Sequence, residues 1–415
     1  MVKTDLPIPG VLEDCADKDA WEKKRKRILK TIAEIEYGKR PEMNYQLHWR
    51  EKTRELVPEL NAVHLITELE VETELGRYAF PVTAFLPVRE EKVPAAVLIC
   101  SQLKTARPME MPEMLKGMKE EEAAETFARM FQALGVTMDL SALSMFPKPD
   151  ENGKIVGTNV LDLDKDYGKG HWPVREMMKR GLAMAGFYAN DVEFDDQQAY
   201  PSGLATIFGT GHARENDAWG ILAVWAFAAS CVREYLTSLS EVDGAHIAVT
   251  GHSRCGKAAL WCGANDENFY AVMPNGSGCG GSALFRGKYG ENLACITANC
   301  PSWFAPAFKK YAGKEGELPF DQHFLLAAVA PRVLHVGSGS EDAWADPEGE
   351  HYSTVLASAV WQLYDGTRPL SPQMPEPDGA ETSGSVGYHV RKGPHLLDTF
   401  DWICFWEHIR QTMEK

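Results

Sequence analysis

Apolar positions along this chain follow two different rhythms. Residues 62–67 and 78–85 alternate apolar and polar side chains, which predicts half-buried antiparallel strands at the start of a mixed sheet. From residue 95 onward the pattern changes to short, nearly continuous apolar runs at 95–100, 182–188, 247–250, 270–273 and 333–336. Such runs predict strands covered on both faces in a parallel sheet. Helical patterns at 218–236 and 256–264 lie between them, an alternation that predicts an α/β fold with right-handed crossovers. Residues 1–55 are expected to be an N-terminal arm and helix. The stretch 104–165 breaks the rhythm with a Met- and Glu-rich helical pattern at 110–134 and a polar, Pro- and Gly-bearing loop at 147–157. It is expected to be an insertion beside the site, a lid or wall, or else a surface decoration.

Composition narrows the function. With 415 residues and 44% apolar content, the chain can bury a sizeable core, and one catalytic domain over 1–415 is expected. A formal net charge of −16 and a pI near 5.3 argue against a nucleic-acid partner, because phosphate binding draws on clustered Lys and Arg. The dense basic run Lys23-Lys24-Arg25-Lys26-Arg27 is expected to be the solvated face of the N-terminal helix. No apolar run is long enough to span a membrane. The N-terminus shows no apolar leader core, so the chain as given is expected to be cytoplasmic, or secreted if a leader has been trimmed. Nine cysteines scattered through predicted strands and helices form no disulfide framework. No CxxC, HExxH or EF-hand pattern occurs, so no metal is expected.

The most informative stretch is 245–260, where a β-branched strand runs into Gly251-His252-Ser253 and straight on into an Ala- and Leu-rich helix. A sharp turn of this kind exposes a serine Oγ at a helix N-terminus, where the dipole favours developing negative charge. Gly251 and Gly256 are small enough to let the backbone turn. The motif departs from G-x-S-x-G, since Cys255 stands where the second glycine belongs and Gly256 follows it. The alternative is an ordinary strand-to-helix turn.

A serine needs a base, and the base needs an orienting acid. In this architecture the order along the chain is Ser, acid, His. The strand at 332–340 runs into Glu341, Asp342 and Asp346, which supply the acid candidates, and the segment 388–395 supplies two histidines. His389 alternates within a predicted strand; His395 follows Gly393-Pro394 in a loop and is the favoured base.

Here the sequence resembles the glucuronoyl esterases, carbohydrate esterase family 15, and in particular their bacterial branch. The resemblance rests on Trp172-Pro173-Val174 with Arg180-Gly181, Asp217-Ala218-Trp219-Gly220, the Gly251 to Lys257 turn and Ser277-Gly278-Cys279-Gly280-Gly281. Pro319-Phe320-Asp321-Gln322-His323, Glu341 to Gly349, and Gly387 to His395 add to it. It runs from about residue 170 to the end and is weak over the first 165. It implies an α/β-hydrolase fold, a three-layer αβα sandwich with a mostly parallel central sheet. It further implies Ser253 as nucleophile, His395 as base, and Arg254 as oxyanion donor through its N–H and guanidinium, a kind of donor whose removal costs about 2.7 to 4 kcal/mol. Lys257 and Glu291 would contact sugar hydroxyls, and Trp344 would wall the uronate pocket. Read without the resemblance, Lys257 is an exposed helix cation.

The departure lies in the acid. Some family members carry a glutamate at the position that here is Gly276, and a glycine cannot orient a histidine. Asp342 is then the implied acid, with Asp346 the other candidate, while Glu341 and Glu350 are expected to be loop charges. The implied reaction is hydrolysis of an ester of glucuronic acid or its 4-O-methyl ether with an alcohol, lignin's in a plant wall, without a cofactor and by a monomer. The substrate would be a small-molecule or oligosaccharide uronate ester. The rival readings are a sugar O-acetyl esterase, a peptidase of similar fold, and a non-catalytic carbohydrate-binding homologue.

Overall fold

A computed structural model describes residues 4–104, 160–287 and 289–414, together with a short antiparallel pairing of Pro108–Met109 with Ile155–Val156. The helical stretch expected at 110–134 and nearly all of the loop at 147–157 lie outside the described residues.

The alternating segments form long strands, β1 (Gln46–Val57), β2 (Ala62–Thr73) and β3 (Gly76–Pro87), joined antiparallel. Burial along β2 alternates, as a strand covered on one face requires. The five continuous apolar runs form β4 (Val93–Cys100), β5 (Ala183–Tyr188), β6 (Val242–His252), β7 (Ala271–Asn275) and β8 (Val333–Gly339); after the edge strand β9 (Gly379–Ser383) comes β10 (Val386–Arg391), the predicted strand that carries His389. Among the described residues, ten strands make one sheet in the order β1-β2-β3-β5-β4-β6-β7-β8-β10-β9, parallel from β5 to β10.

Helices cover both faces. Val97 and Ile99 of β4 face a core that includes α1 (Lys18–Ile32), while their neighbours Ala96 and Leu98 face a second core that includes α2 (Val174–Arg180). On the first side lie α3 (Ile221–Thr237), α4 (Arg254–Asn265) and the end of α5 (Pro347–Ser358); on the second lies α6 (Thr399–Met413). The result is the three-layer αβα arrangement expected for strands that are apolar throughout. All nine cysteines are free thiols. Among the described residues no helix is long and apolar enough to cross a membrane.

Two expectations change. Residues 46–55 of the expected arm belong to the edge strand β1, whose charged, exposed side chains conceal its pairing from the hydrophobic pattern and also discourage edge-to-edge association. The basic run is not wholly a solvated face. Arg25 is buried, donating to the carbonyls of Ala264 (2.8 Å) and Ala328 (2.6 Å) and pairing with Glu267, so it ties α1 to the core.

Several buried imidazoles set an acid limit on the fold. Burial pushes His171 down to about 4 and His323 to about 3, and holds His252 and His335 well below the usual histidine value. These groups titrate near 6.5 in an unfolded chain, so below that pH the unfolded state binds more protons and acid favours unfolding. Each contributes about 1.4 kcal/mol of lost stability per pH unit down to its own depressed value. The melting temperature is therefore expected to fall steadily as pH drops from 7 to 5 in scanning calorimetry. A flat profile over that range would show that these rings are not buried neutral.

Candidate active site

Ser253 stands between the end of β6 and the start of α4 at φ 57° and ψ −124°. Its N–H donates to the Asn275 carbonyl of β7 (2.9 Å), and its side chain is part-exposed. The displaced glycine of the motif has a structural reason. A Cβ on Gly251 would lie 2.3 Å from the Cys255 carbonyl oxygen, and one on Gly256 would lie 3.0 Å from the carbonyl oxygens of both Asn275 and Gly251. Close backbone approach falls at residue 256, whereas Cys255 points into the core, where burial raises its thiol well above the ordinary range.

The two remaining members of the expected set meet across the ends of β8 and β10. His395 Nδ1 lies 2.5 Å from Asp342 Oδ2, and the other carboxylate oxygen accepts the Ala345 N–H at 3.0 Å. Asp346 is engaged elsewhere, capping α5 through the Gly349 N–H (2.9 Å) and accepting the Tyr289 N–H (3.1 Å). His389 is fully buried, 2.7 Å from Asp401 Oδ1 and 3.0 Å from the His335 ring, away from Asp342. At Gly276, φ is +48° and a Cβ would lie 3.2 Å from His252 and 3.4 Å from His395 Nδ1. The neutral His252 ring packs there instead, its centroid 4.3 Å from that of His395.

On the other side of the turn, the Arg254 guanidinium pairs with Asp195 (2.5 Å) and lies 5.0 Å from the Trp303 ring centre. Trp303 in turn donates its indole N–H to Asp195 (2.6 Å). Lys257 is buried, not an exposed cation, with Nζ 3.6 Å from Glu291 and 5.9 Å from the Trp303 ring centre. The Glu291 N–H donates to the Trp344 carbonyl (3.1 Å), which brings those two neighbours together. Asp195 and Trp303 carried no sequence signal, because nothing local marks an acid whose partner lies 59 residues further on. Glu350 is corrected as well. It is a fully buried carboxylate that accepts from Ser338 Oγ (2.6 Å) and the Gly278 N–H (2.9 Å), bracing the segment after β7.

A family model described as glucuronyl esterase, fungi, matches residues 167–365. Carbohydrate esterase MZ0003, from an unknown prokaryotic organism, is 37% identical over 250 residues, 59% of this chain and 57% of the relative. A 4-O-methyl-glucuronoyl methylesterase of Podospora anserina is 26% identical over 250 residues, 55% of this chain and 50% of its own length. Two solved structures are similar over nearly the whole chain: a promiscuous esterase of carbohydrate esterase family 15 from a marine bacterial metagenome and a glucuronoyl esterase from Solibacter usitatus. Both have a TM-score of 0.77; the first is 28% identical and covers 99% of this chain and 98% of its own, the second 27%, 98% and 99%.

The chain is similar to glucuronoyl esterases in sequence over its second half and in fold over nearly its whole length. Its fold is that of the α/β-hydrolases. The chain spans 57% and 50% of the length of these two curated relatives, whereas the fold likeness to the two solved structures takes in the N-terminal part that sequence alone matches weakly.

Two outcomes separate the acid candidates. Asp342→Asn is expected to lower kcat for ester hydrolysis by about 10³ to 10⁴ by releasing the His395 tautomer. Asp346→Ala should instead cost about 1 kcal/mol of stability as a lost cap, with a far smaller effect on kcat. The reverse pattern in paired kinetics and calorimetry would reassign the acid. Gly276→Glu is expected not to restore the Asp342→Asn enzyme, since the new side chain meets His252 and needs positive φ; recovered turnover would contradict this.

Proposed function

We propose that the protein is a serine esterase that cleaves esters of D-glucuronic acid or its 4-O-methyl ether with an alcohol. The observation that carries the reading is the Asp342 to His395 hydrogen bond opposite the strained Ser253 turn, flanked by the buried Lys257 and Glu291 pair. Asp342 at Nδ1 holds that nitrogen as N–H and leaves Nε2 as the basic lone pair. His395 takes the Ser253 proton, and Oγ attacks the uronoyl carbonyl. The oxyanion is met by Arg254, whose guanidinium Asp195 restrains. His395 then gives its proton to the leaving alcohol, and a water activated by the same ring releases the uronic acid from the acyl-enzyme.

Lys257 and Glu291 supply a donor and an acceptor side by side, the pairing that sugar hydroxyls need, and Trp344, whose carbonyl accepts the Glu291 N–H, is the aromatic residue assigned to the uronate pocket. Support for the uronate also comes from relatives named glucuronoyl esterase and 4-O-methyl-glucuronoyl methylesterase. A broader ester preference has its own support, in the relative described as promiscuous.

Hydrolysis of benzyl glucuronate beside p-nitrophenyl acetate, in the wild type and Ser253→Ala, tests the proposal. Turnover of the glucuronate with a much higher kcat/KM, lost in Ser253→Ala, is the expected result. Turnover of the acetate alone would keep Ser253 and overturn the uronate assignment of Lys257, Glu291 and Trp344.

A further inference from the structure

His395 lies in the connection between β10 and α6, and a loop left to itself does not hold a side chain to the tolerance that proton transfer demands. Gly393 is tied to Ser340 (3.2 Å) and Glu341 (2.9 Å), and the residues on either side of His395 are held by one guanidinium. Arg391, the last residue of β10 and almost fully buried, donates through Nη1 to the Lys392 carbonyl (3.0 Å) and through Nη2 to the carbonyls of Pro394 (2.7 Å) and Leu396 (2.9 Å). The residues immediately before and after His395 are thus bound to one rigid fork.

The fourth donor, Nε, reaches Asp401 Oδ2 at 3.1 Å. Asp401 is fully buried in the first turn of α6, where it also accepts the Asp398 N–H (2.7 Å) in a capping box. Its other oxygen accepts from Asn275 Nδ2 (3.1 Å). Asn275 closes the circuit: its side-chain oxygen meets His252 Nδ1 (2.7 Å), and its carbonyl holds the Ser253 N–H. One buried carboxylate is therefore hydrogen-bonded, through Arg391, to the loop of the base and, through Asn275, to the turn of the nucleophile.

We propose that Arg391 and Asp401 are a positioning pair that sets His395 relative to Ser253. The inference rests on the reading of His395 as base. Neither residue touches a reacting atom. Lysine could not replace Arg391, because a single ammonium head cannot reproduce a planar fork spanning three carbonyls.

The test compares wild type, Arg391→Lys and Arg391→Ala in two readouts: the rate at which a fluorophosphonate labels Ser253, which does not depend on sugar recognition, and kcat and KM for benzyl glucuronate. In folded Arg391→Lys, labelling and kcat are expected to fall together by about 10²-fold, the usual consequence of displacing a reacting group by about 1 Å, with KM little changed. Added guanidinium, and not sodium, is expected to restore part of the labelling rate of Arg391→Ala. Should Arg391→Ala fail to fold, Arg391→Lys decides. A folded Arg391→Lys that labels within a few-fold of wild type overturns the proposal. A wild type that labels but ignores benzyl glucuronate overturns the uronate reading alone and leaves the labelling comparison to judge Arg391. A wild type that does not label at Ser253 overturns both.

Discussion

The turn at Ser253 holds a non-glycine residue at positive φ, a conformation that costs on the order of 1 to 3 kcal/mol and persists only where the surroundings enforce it. Here the surroundings are specific. Gly251 lets the backbone pass the Cys255 carbonyl, Gly256 lets α4 close on β7, and the Asn275 carbonyl takes the serine N–H. Replacing either glycine would drive a Cβ into backbone. The strain is therefore maintained by the packing of β6, β7 and α4, and much of the site geometry follows from it.

The parallel sheet determines where the partners can come from. Ser253, Asp342 and His395 each follow the carboxyl end of a strand, β6, β8 and β10, in the crevice where α/β sheets bind ligands. The intervening strand, β7, contributes Asn275 and then Gly276, whose missing side chain leaves room for His252 beside His395. The carboxylate that meets His395 comes instead from Asp342, one strand further along, and Asp346, four residues on, is occupied as a helix cap.

Local patterns made much of this legible from sequence. The apolar runs marked the parallel strands because those strands are buried on both faces, and the strand-to-helix turn marked Ser253. What stayed hidden was long-range pairing. Glu350 reads as a charge near a turn, yet it is buried against Ser338 and Gly278; Arg391 and Asp401 read as a basic and an acidic residue ten apart, yet they meet inside the protein. Strand β1 was missed because its exposed face carries charges, so that the hydrophobic alternation on which strand prediction depends is absent. The burial of Lys257 beside Glu291 has no local signal either, since a lysine at that helix position reads as an exposed cation.

The central claim is that a uronoyl group passes through Ser253 with His395 as its proton carrier. Rapid quenching of benzyl glucuronate turnover in acid, followed by peptide mass mapping, tests it directly. The account predicts a transient uronoyl adduct on the peptide carrying Ser253, accumulating when deacylation is slow. Turnover with the adduct on a different residue would contradict it.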